Sequence, residues 1–415
     1  MAASTDIKFY VHTNNNAPQL QNAYGSMIGV LDACLVDGIF IGNIASLTVS
    51  GLIATAIFTT PHNLMQYQVL KVAGANQSEF NKEFKVLTVP NPTTVSFRLD
   101  MAASVNTATG TITASLPSLG WEKSFSSSHA ISGGRAAYQP TELLVSSCPF
   151  LRVVDEPDPT LTVGAAKYAK VGIVESMSGI DSMLGMQAPY DASKPTKNWI
   201  GDSAGNGWAV WAYALASNEN TFSTITSAPP SGPREWFVLG GKDFVYVLPR
   251  FHIDPSTKNR LCPYFFGNTG SGFVLLHSVI DGNSITPWSA AILANLNNVS
   301  GAFGGSALIS NNDSLNAMSV KTFTLFYSLT TSNGAVASGY TSNFSAQFGS
   351  EIFTTDIFSL DQNGRPFGKF PRCEFIHALR PYAHLLTFNE GVEMKIAVNC
   401  IAYEQGEVLF SLGEL

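Results

Sequence analysis

Between residues 46 and 116 the chain alternates apolar and polar side chains in short runs broken by turn residues, and this limits its fold more than any other feature. Leu47-Thr48-Val49 and the run 52–58 flank Ser50-Gly51, and the runs 84–89 and 94–99 flank Pro90-Asn91-Pro92. A period of two is that of a half-buried strand. Gly, Pro and Asn between such runs supply the backbone angles of tight turns. Shorter runs at 69–73 and 111–113 complete the set. Several short strands in so little chain predict a small β-sandwich or barrel. The region has no cysteine pair and no buried-tryptophan pattern, so an immunoglobulin domain in the strict sense is not expected.

A different spacing precedes this region. Leu20, Tyr24, Met27, Leu31 and Leu35 recur at steps of three or four, one face of a helix, with Gly38 placed to end it. Gly25 and Gly29 weaken that helix by about 1 kcal/mol each relative to Ala, so it needs packing. Residues 1–16, ending in Asn14-Asn15-Asn16, read as an extended arm. From Leu119-Gly120-Trp121 another texture resumes. The pattern therefore predicts a β-module at 45–118 inserted into a discontinuous host α+β domain, 1–44 plus 119–300. Insertion of this kind is tolerated where a module's termini lie close together. A C-terminal β-rich region, 301–415, is expected to pack on the host.

The predicted class is mainly β with a few short helices. Strands are expected at 167–177, 322–329, 352–360 and 408–412, with a half-buried strand alternating over 392–400. Runs 236–239 and 244–248 flank Gly240-Gly241-Lys242-Asp243 as a hairpin. Residues 182–186 read as one helical turn, and 208–216 as a short helix or a strand. Asn363-Gly364 and Gln405-Gly406 are turn signals. The polar stretches 217–233 and 297–316 read as surface loops.

Charged residues are only 13% of the 415, with a formal net charge of −7. Ser, Thr, Asn and Gly must cover the surface instead, which suits a subunit that buries much of itself against neighbours. No Lys/Arg run offers a phosphate-backbone footprint, so nucleic acid is not an expected partner. No uninterrupted apolar window is long enough to span a membrane as a helix, and residues 1–10 carry no secretory pattern. Cys34, Cys148, Cys262, Cys373 and Cys400 are odd in number and far apart, and read as buried thiols.

Chemistry-bearing patterns are few. Gly201-Asp202-Ser203-Ala204-Gly205 matches the nucleophile elbow of serine hydrolases, but Pro195 and two lysines make a poor buried strand before it. A Gly-rich turn is the expectation there. The glycines of 266–272 lack the Lys-Ser/Thr of a phosphate loop. Asp155-Glu156-Pro157-Asp158 could offer carboxylates to a hard cation, and reads as a solvated turn. His377 and His384 near Cys373 fit no zinc spacing. Trp199, Trp208 and Trp211 could stack on sugars or bases, though core packing is the commoner use of such residues. No catalytic, cofactor or metal residue is expected, and the chain reads as no enzyme.

Several segments carry a family likeness: Ala17-Pro18-Gln19-Leu20, the run 31–38, Val72-Ala73-Gly74-Ala75, Glu83-Phe84-Lys85-Val86, Gly110-Thr111-Ile112 and the run 119–125. Leu151-Arg152-Val153-Val154-Asp155 and Gln187-Ala188-Pro189-Tyr190-Asp191 extend it. The sequence resembles virion structural proteins of tailed bacteriophages over most of its length. The resemblance implies a non-catalytic subunit of the neck, collar or tail region, in a ring-like homo-oligomer that contacts portal or adaptor, tail or capsid proteins. It implies synthesis in the host cytoplasm and residence in the virion. Alternatives are a baseplate or capsid-decoration protein, a receptor-recognition protein binding host-surface glycans and, last, an esterase built on Ser203.

Overall fold

The alternating runs close on one another. In the computed structural model, strands Ile39–Ser50, Ile53–Phe58, Thr94–Arg98, Glu83–Asn91, Val69–Ala75 and Gly110–Leu116 form a closed antiparallel barrel in that order. The structure describes residues 3–142, 148–159, 165–200, 207, 209–216, 223–224, 226–253, 261–281, 284–286, 305–308, 318–324, 352, 354–360, 366–376, 382–400 and 407–415. Ala54, Ala56 and Phe58 face the barrel interior, while Ile53 and Ile57 alternate outward. Phe84 and Phe97 stack inside, with ring centroids 4.5 Å apart. The chain enters and leaves side by side, because Ile39 pairs with Leu116.

The helical spacing before the barrel folds as an α-helix, Ser26–Leu31, that loosens into a π-helix, Asp32–Asp37. It starts later than the spacing predicts. Gly25 takes a left-handed φ of 89° and blocks extension toward Leu20. Met27, Leu31 and Leu35 are fully buried, as a single apolar face requires. Gly38 ends the segment with φ 79°, and a Cβ there would lie 2.7 Å from the Leu116 carbonyl oxygen.

Two further sheets carry most of the remaining chain. The smaller has strands Ser182–Ala188, Lys167–Gly179, Phe150–Asp155, Gly134–Gln139 and Glu122–Ser128 in order, with Val210–Ala214 also paired to Lys167–Gly179. The larger is antiparallel and twelve-stranded. Its order is Lys8–Val11, Trp236–Gly240, Phe244–Pro249, Tyr264–Asn268, Phe273–Leu276, Gly305–Leu308, Met318–Thr324, Thr354–Leu360, Pro366–Ile376, Glu407–Glu414, Glu393–Asn399 and Thr387–Glu390. The C-terminal strands thus continue the sheet begun by the middle of the chain. That sheet also curls back on itself. Phe237, in its second strand, stacks on Phe410, in its tenth, at 5.7 Å, and Tyr246 lies 4.9 Å from the same ring. A short sheet pairs Ser223–Thr224, Ser284–Thr286 and Val279–Asp281.

The molecule is mainly β, as the alternation predicts. One local expectation is overturned and two are sharpened. Residues 182–186 belong to a strand, Ser182–Ala188, not a helical turn. Gly185, at φ 70°, lets that strand bulge against its neighbour. Residues Val210–Ala214 resolve as a strand, buried at every position. The N-terminal arm is not free: Lys8–Val11 is the first strand of the large sheet, paired with Trp236–Gly240, and Phe9, Tyr10 and Val11 are buried. The turns fall at Gly51-Leu52, Pro92-Thr93 and 241–243, within a residue or two of where the sequence places them, whereas Asn363-Gly364, Gln405-Gly406 and nearly all of 297–316 lie outside the described residues.

Candidate functional site

The acidic run 155–158 is the richest in chemistry among the described residues, and it is not a solvated turn. It leaves the end of the strand Phe150–Asp155, directly under the helix Ser26–Leu31. Asp155 is fully buried. Its Oδ2 accepts the Met27 N–H at 3.0 Å and the Ile28 N–H at 3.4 Å, and its Oδ1 accepts the Tyr213 hydroxyl at 2.7 Å. The carboxylate thereby satisfies backbone donors that the helix cannot satisfy itself. Burial raises its pKa to about 6 even though these hydrogen bonds pull the other way. Gly133 lies against this point with φ 70°, and a Cβ there would sit 1.9 Å from the Asp155 carbonyl oxygen.

The neighbouring carboxylates turn elsewhere. Glu156 receives a fork from Arg135, with Nε to Oε1 at 3.0 Å and Nη2 to Oε1 at 2.7 Å. Asp158 is buried in an ion pair with Lys170. Arg135 and Arg152 share Asp181 Oδ1 at 2.7 Å each, and the Arg152 guanidinium lies 4.4 Å from the Trp199 ring centroid. The three carboxylates of the run therefore diverge onto separate partners. Among the described residues, no group of three or more His, Cys, Asp or Glu side chains could hold a metal ion.

The other sequence patterns resolve as follows. Gly201-Asp202-Ser203-Ala204-Gly205, Trp208 and His377 lie outside the described residues. The glycines of 266–272 form the hairpin between Tyr264–Asn268 and Phe273–Leu276, where the Gly270 N–H donates to Asn268 Oδ1 at 2.9 Å. Trp211 is fully buried and stacks on Tyr264 at 5.7 Å, with its indole N–H on the Leu276 carbonyl at 2.8 Å. Trp199 is also buried, and its indole N–H reaches Gln187 Oε1 at 3.1 Å. Neither presents an open ring face. His384 is tied at both nitrogens: Nδ1 accepts the Asn399 N–H at 3.0 Å, so the proton sits on Nε2 and faces Glu235 Oε1 at 2.9 Å. All five cysteines are buried thiols, and burial pushes those of Cys34 and Cys373 well up.

Lys85 and Lys395, two of the buried lysines, escaped the sequence reading. Lys395 stands in the strand Glu393–Asn399 with Glu390 at 2.6 Å, Glu374 at 3.0 Å and Glu393 at 3.6 Å. Burial alone would lower its pKa, and the hydrogen bonds to Glu390 and Glu374 reverse that to a raised value. Lys85 sits between the barrel and the ends of the chain. Its Nζ donates to the carbonyls of Ile7 at 3.0 Å and Leu412 at 3.1 Å, and burial drives its pKa down to about 7. The Lys85 partners come from the two ends of the chain and leave no local trace, whereas Lys395 has Glu390 and Glu393 close by in sequence and only Glu374 from a separate strand.

No family model matches this chain, and no curated protein matches it. Among the described residues no helix is long and apolar enough to cross a membrane.

Proposed function

We propose that this chain is a non-catalytic structural subunit of a tailed-phage virion, in the neck, collar or tail region, assembling with copies of itself. The observation that carries the assembly part is the strand Ser182–Ala188. It ends the smaller sheet, with no strand paired to its outer side among the described residues. It contains no charged residue and no proline, and its Leu184 side chain is exposed. Monomers normally blunt such edges with charge or proline to prevent pairing between chains. The opposite edge of the same sheet, Glu122–Ser128, is exposed over most of its length and rich in serine. Two different edges on one sheet suit head-to-tail contacts, which close into rings when the rotation permits.

The buried ionic groups support the same reading. Asp155, Asp158, Lys170 and Lys395 are buried, and each bonds within the chain. The virion placement rests on the family resemblance. Native mass measurement and negative-stain imaging of the purified protein test assembly: a ring is expected. Binding to isolated neck, tail and capsid proteins tests the placement. A well-behaved monomer with no affinity for any virion protein would overturn the proposal.

A further inference from the structure

One side chain helps to close the curl of the large sheet. His384 sits in the turn 382–386, which leads into the strand Thr387–Glu390 at the sheet's far end. Its ring reaches from Asn399, at the end of Glu393–Asn399, to Glu235, just before Trp236–Gly240. These are the eleventh and second strands in sheet order. The turn is also strained. Leu385 takes a left-handed φ of 61°, which leucine rarely adopts, and its N–H is held on the Ala397 carbonyl at 2.8 Å.

A single proton decides whether the bridge can exist. The Asn399 N–H donates to Nδ1 at 3.0 Å, so Nδ1 must be bare, and the proton on Nε2 faces Glu235 Oε1 at 2.9 Å. A second proton makes both ring nitrogens donors. Two N–H groups would then oppose each other at Asn399. The Nε2 bond meets no such conflict, and an imidazolium beside a carboxylate forms the stronger, charge-assisted pair. The neutral ring holds both partners, and the charged ring holds Glu235 alone.

The surrounding groups favour this outcome. Arg250, after Phe244–Pro249, lies 3.4 Å from Glu235 Oε2, and His12, after Lys8–Val11, stands in the same cluster. Burial would raise the Glu235 pKa, but the hydrogen bond and charge of His384, with Arg250, outweigh it and hold the carboxyl below its usual value. Glu235 thus stays ionised in mild acid. Burial lowers the His12 pKa, so His12 takes its proton later than an ordinary histidine. On the other side, Glu407 pairs with Asn399 across the strands, and Tyr382 lies on the turn itself. The Asn399 N–H is committed to the ring and to neither of them.

We propose that His384 is an acid-operated latch: protonation at Nδ1 frees Asn399, releases the turn 382–386 and opens the seam between the two ends of the curled sheet. The latch lies within one chain, so it stands independently of assembly.

The test follows amide hydrogen exchange of the whole protein over 382–386 and 393–400 at about pH 7.5 and about pH 5, on either side of the usual histidine range, corrected for the intrinsic rate at each pH. Protection at Asn399 is expected to fall about tenfold in acid, the worth of one hydrogen bond. His384→Asn sets an amide oxygen near the place of Nδ1 and takes no proton, so it should keep Asn399 protected at both pH values. Glu235→Gln removes the charge that holds the imidazolium and should move the opening to lower pH. His12→Asn should respond as the wild type does. Equal protection of Asn399 at both pH values in the wild type would overturn the proposal without any variant. The same acid loss in His384→Asn, or its disappearance in His12→Asn, would overturn it as well.

Discussion

The Tyr213 hydroxyl donates to Asp155 Oδ1 at 2.7 Å across 58 residues of sequence. That bond joins the strand Val210–Ala214 to the end of Phe150–Asp155, and through Asp155 to the start of the helix Ser26–Leu31. Three separate segments meet on one carboxylate. Removing the phenol oxygen leaves a buried charge with one donor fewer. Tyr213→Phe is expected to lose about 2 kcal/mol, the range for a hydrogen bond to a charged group. Denaturant unfolding at neutral pH measures it. A loss well under 1 kcal/mol would show that the bond does not hold these segments together.

Asp155 also sets a pH dependence. Its folded pKa is raised to about 6, above the ordinary value of 3.8. Between these values the folded state binds more protons than the unfolded state, so this group stabilises the fold as pH falls from above 6 toward 4. The full span is about 3 kcal/mol. Other carboxylates titrate in the same range, so the comparison is between the wild type and Asp155→Asn. The variant is expected to lose the part of the pH slope between about 4 and 6 that this group supplies. Parallel stability curves for the two proteins would contradict the assignment.

Lys85 acts with the opposite sign at higher pH. Its folded pKa is lowered to about 7 from 10.5. Between those values the unfolded state holds the extra proton, so the destabilising contribution of Lys85 is full below 7 and fades as pH rises toward 10.5. Urea unfolding should show this component of the slope in the wild type and not in Lys85→Met. The variant also leaves the Ile7 and Leu412 carbonyls without their donor, so its absolute stability falls at high pH, where the wild-type lysine is uncharged.

Gly133 is expected to tolerate no side chain. Its φ of 70° disfavours every other residue, and the added Cβ would stand 1.9 Å from backbone oxygen and 2.9 Å from the Gly25 nitrogen. Neither neighbour is a flexible side chain that could swing away. Gly133→Ala should cost more than 4 kcal/mol or prevent folding, which soluble yield and circular dichroism report. Gly51 is the control, since a Cβ there meets nothing within 4 Å. Gly51→Ala carries only the strain of its own φ, about 1 kcal/mol.

The hairpins were legible because their information is local. Ser50-Gly51 and Pro90-Asn91-Pro92 fix a turn within a few residues, and the flanking alternation fixes which side chains face in. The strand over 392–400 shows where that reasoning stops. Its alternation predicts one polar face, yet Lys395 and Ala397 are buried with Met394, Ile396 and Val398, because Glu374, Glu390 and Glu393 surround the lysine. The acidic run 155–158 misleads for the same reason. Local composition suggests solvent, and the partners that bury it, Tyr213, Lys170 and the helix at Met27, come from elsewhere in the chain. Neither the order of the twelve-stranded sheet nor the meeting of Phe237 with Phe410 leaves any local trace.

The edge strand Ser182–Ala188 carries the assembly proposal, and a single charge tests it. Leu184 is exposed, so a lysine there disturbs no core contact and should change stability by less than about 0.5 kcal/mol. A charge on an edge opposes pairing with another chain. Leu184→Lys is therefore expected to keep the wild-type unfolding midpoint while shifting the assembled form toward monomer in native mass measurements. Leu184→Ala, which trims the side chain without adding charge, should shift it less. Rings of unchanged mass and stability in Leu184→Lys would move the interface away from this strand, leaving Glu122–Ser128 and the rim of the large sheet at Thr387–Glu390 as the edges to test next.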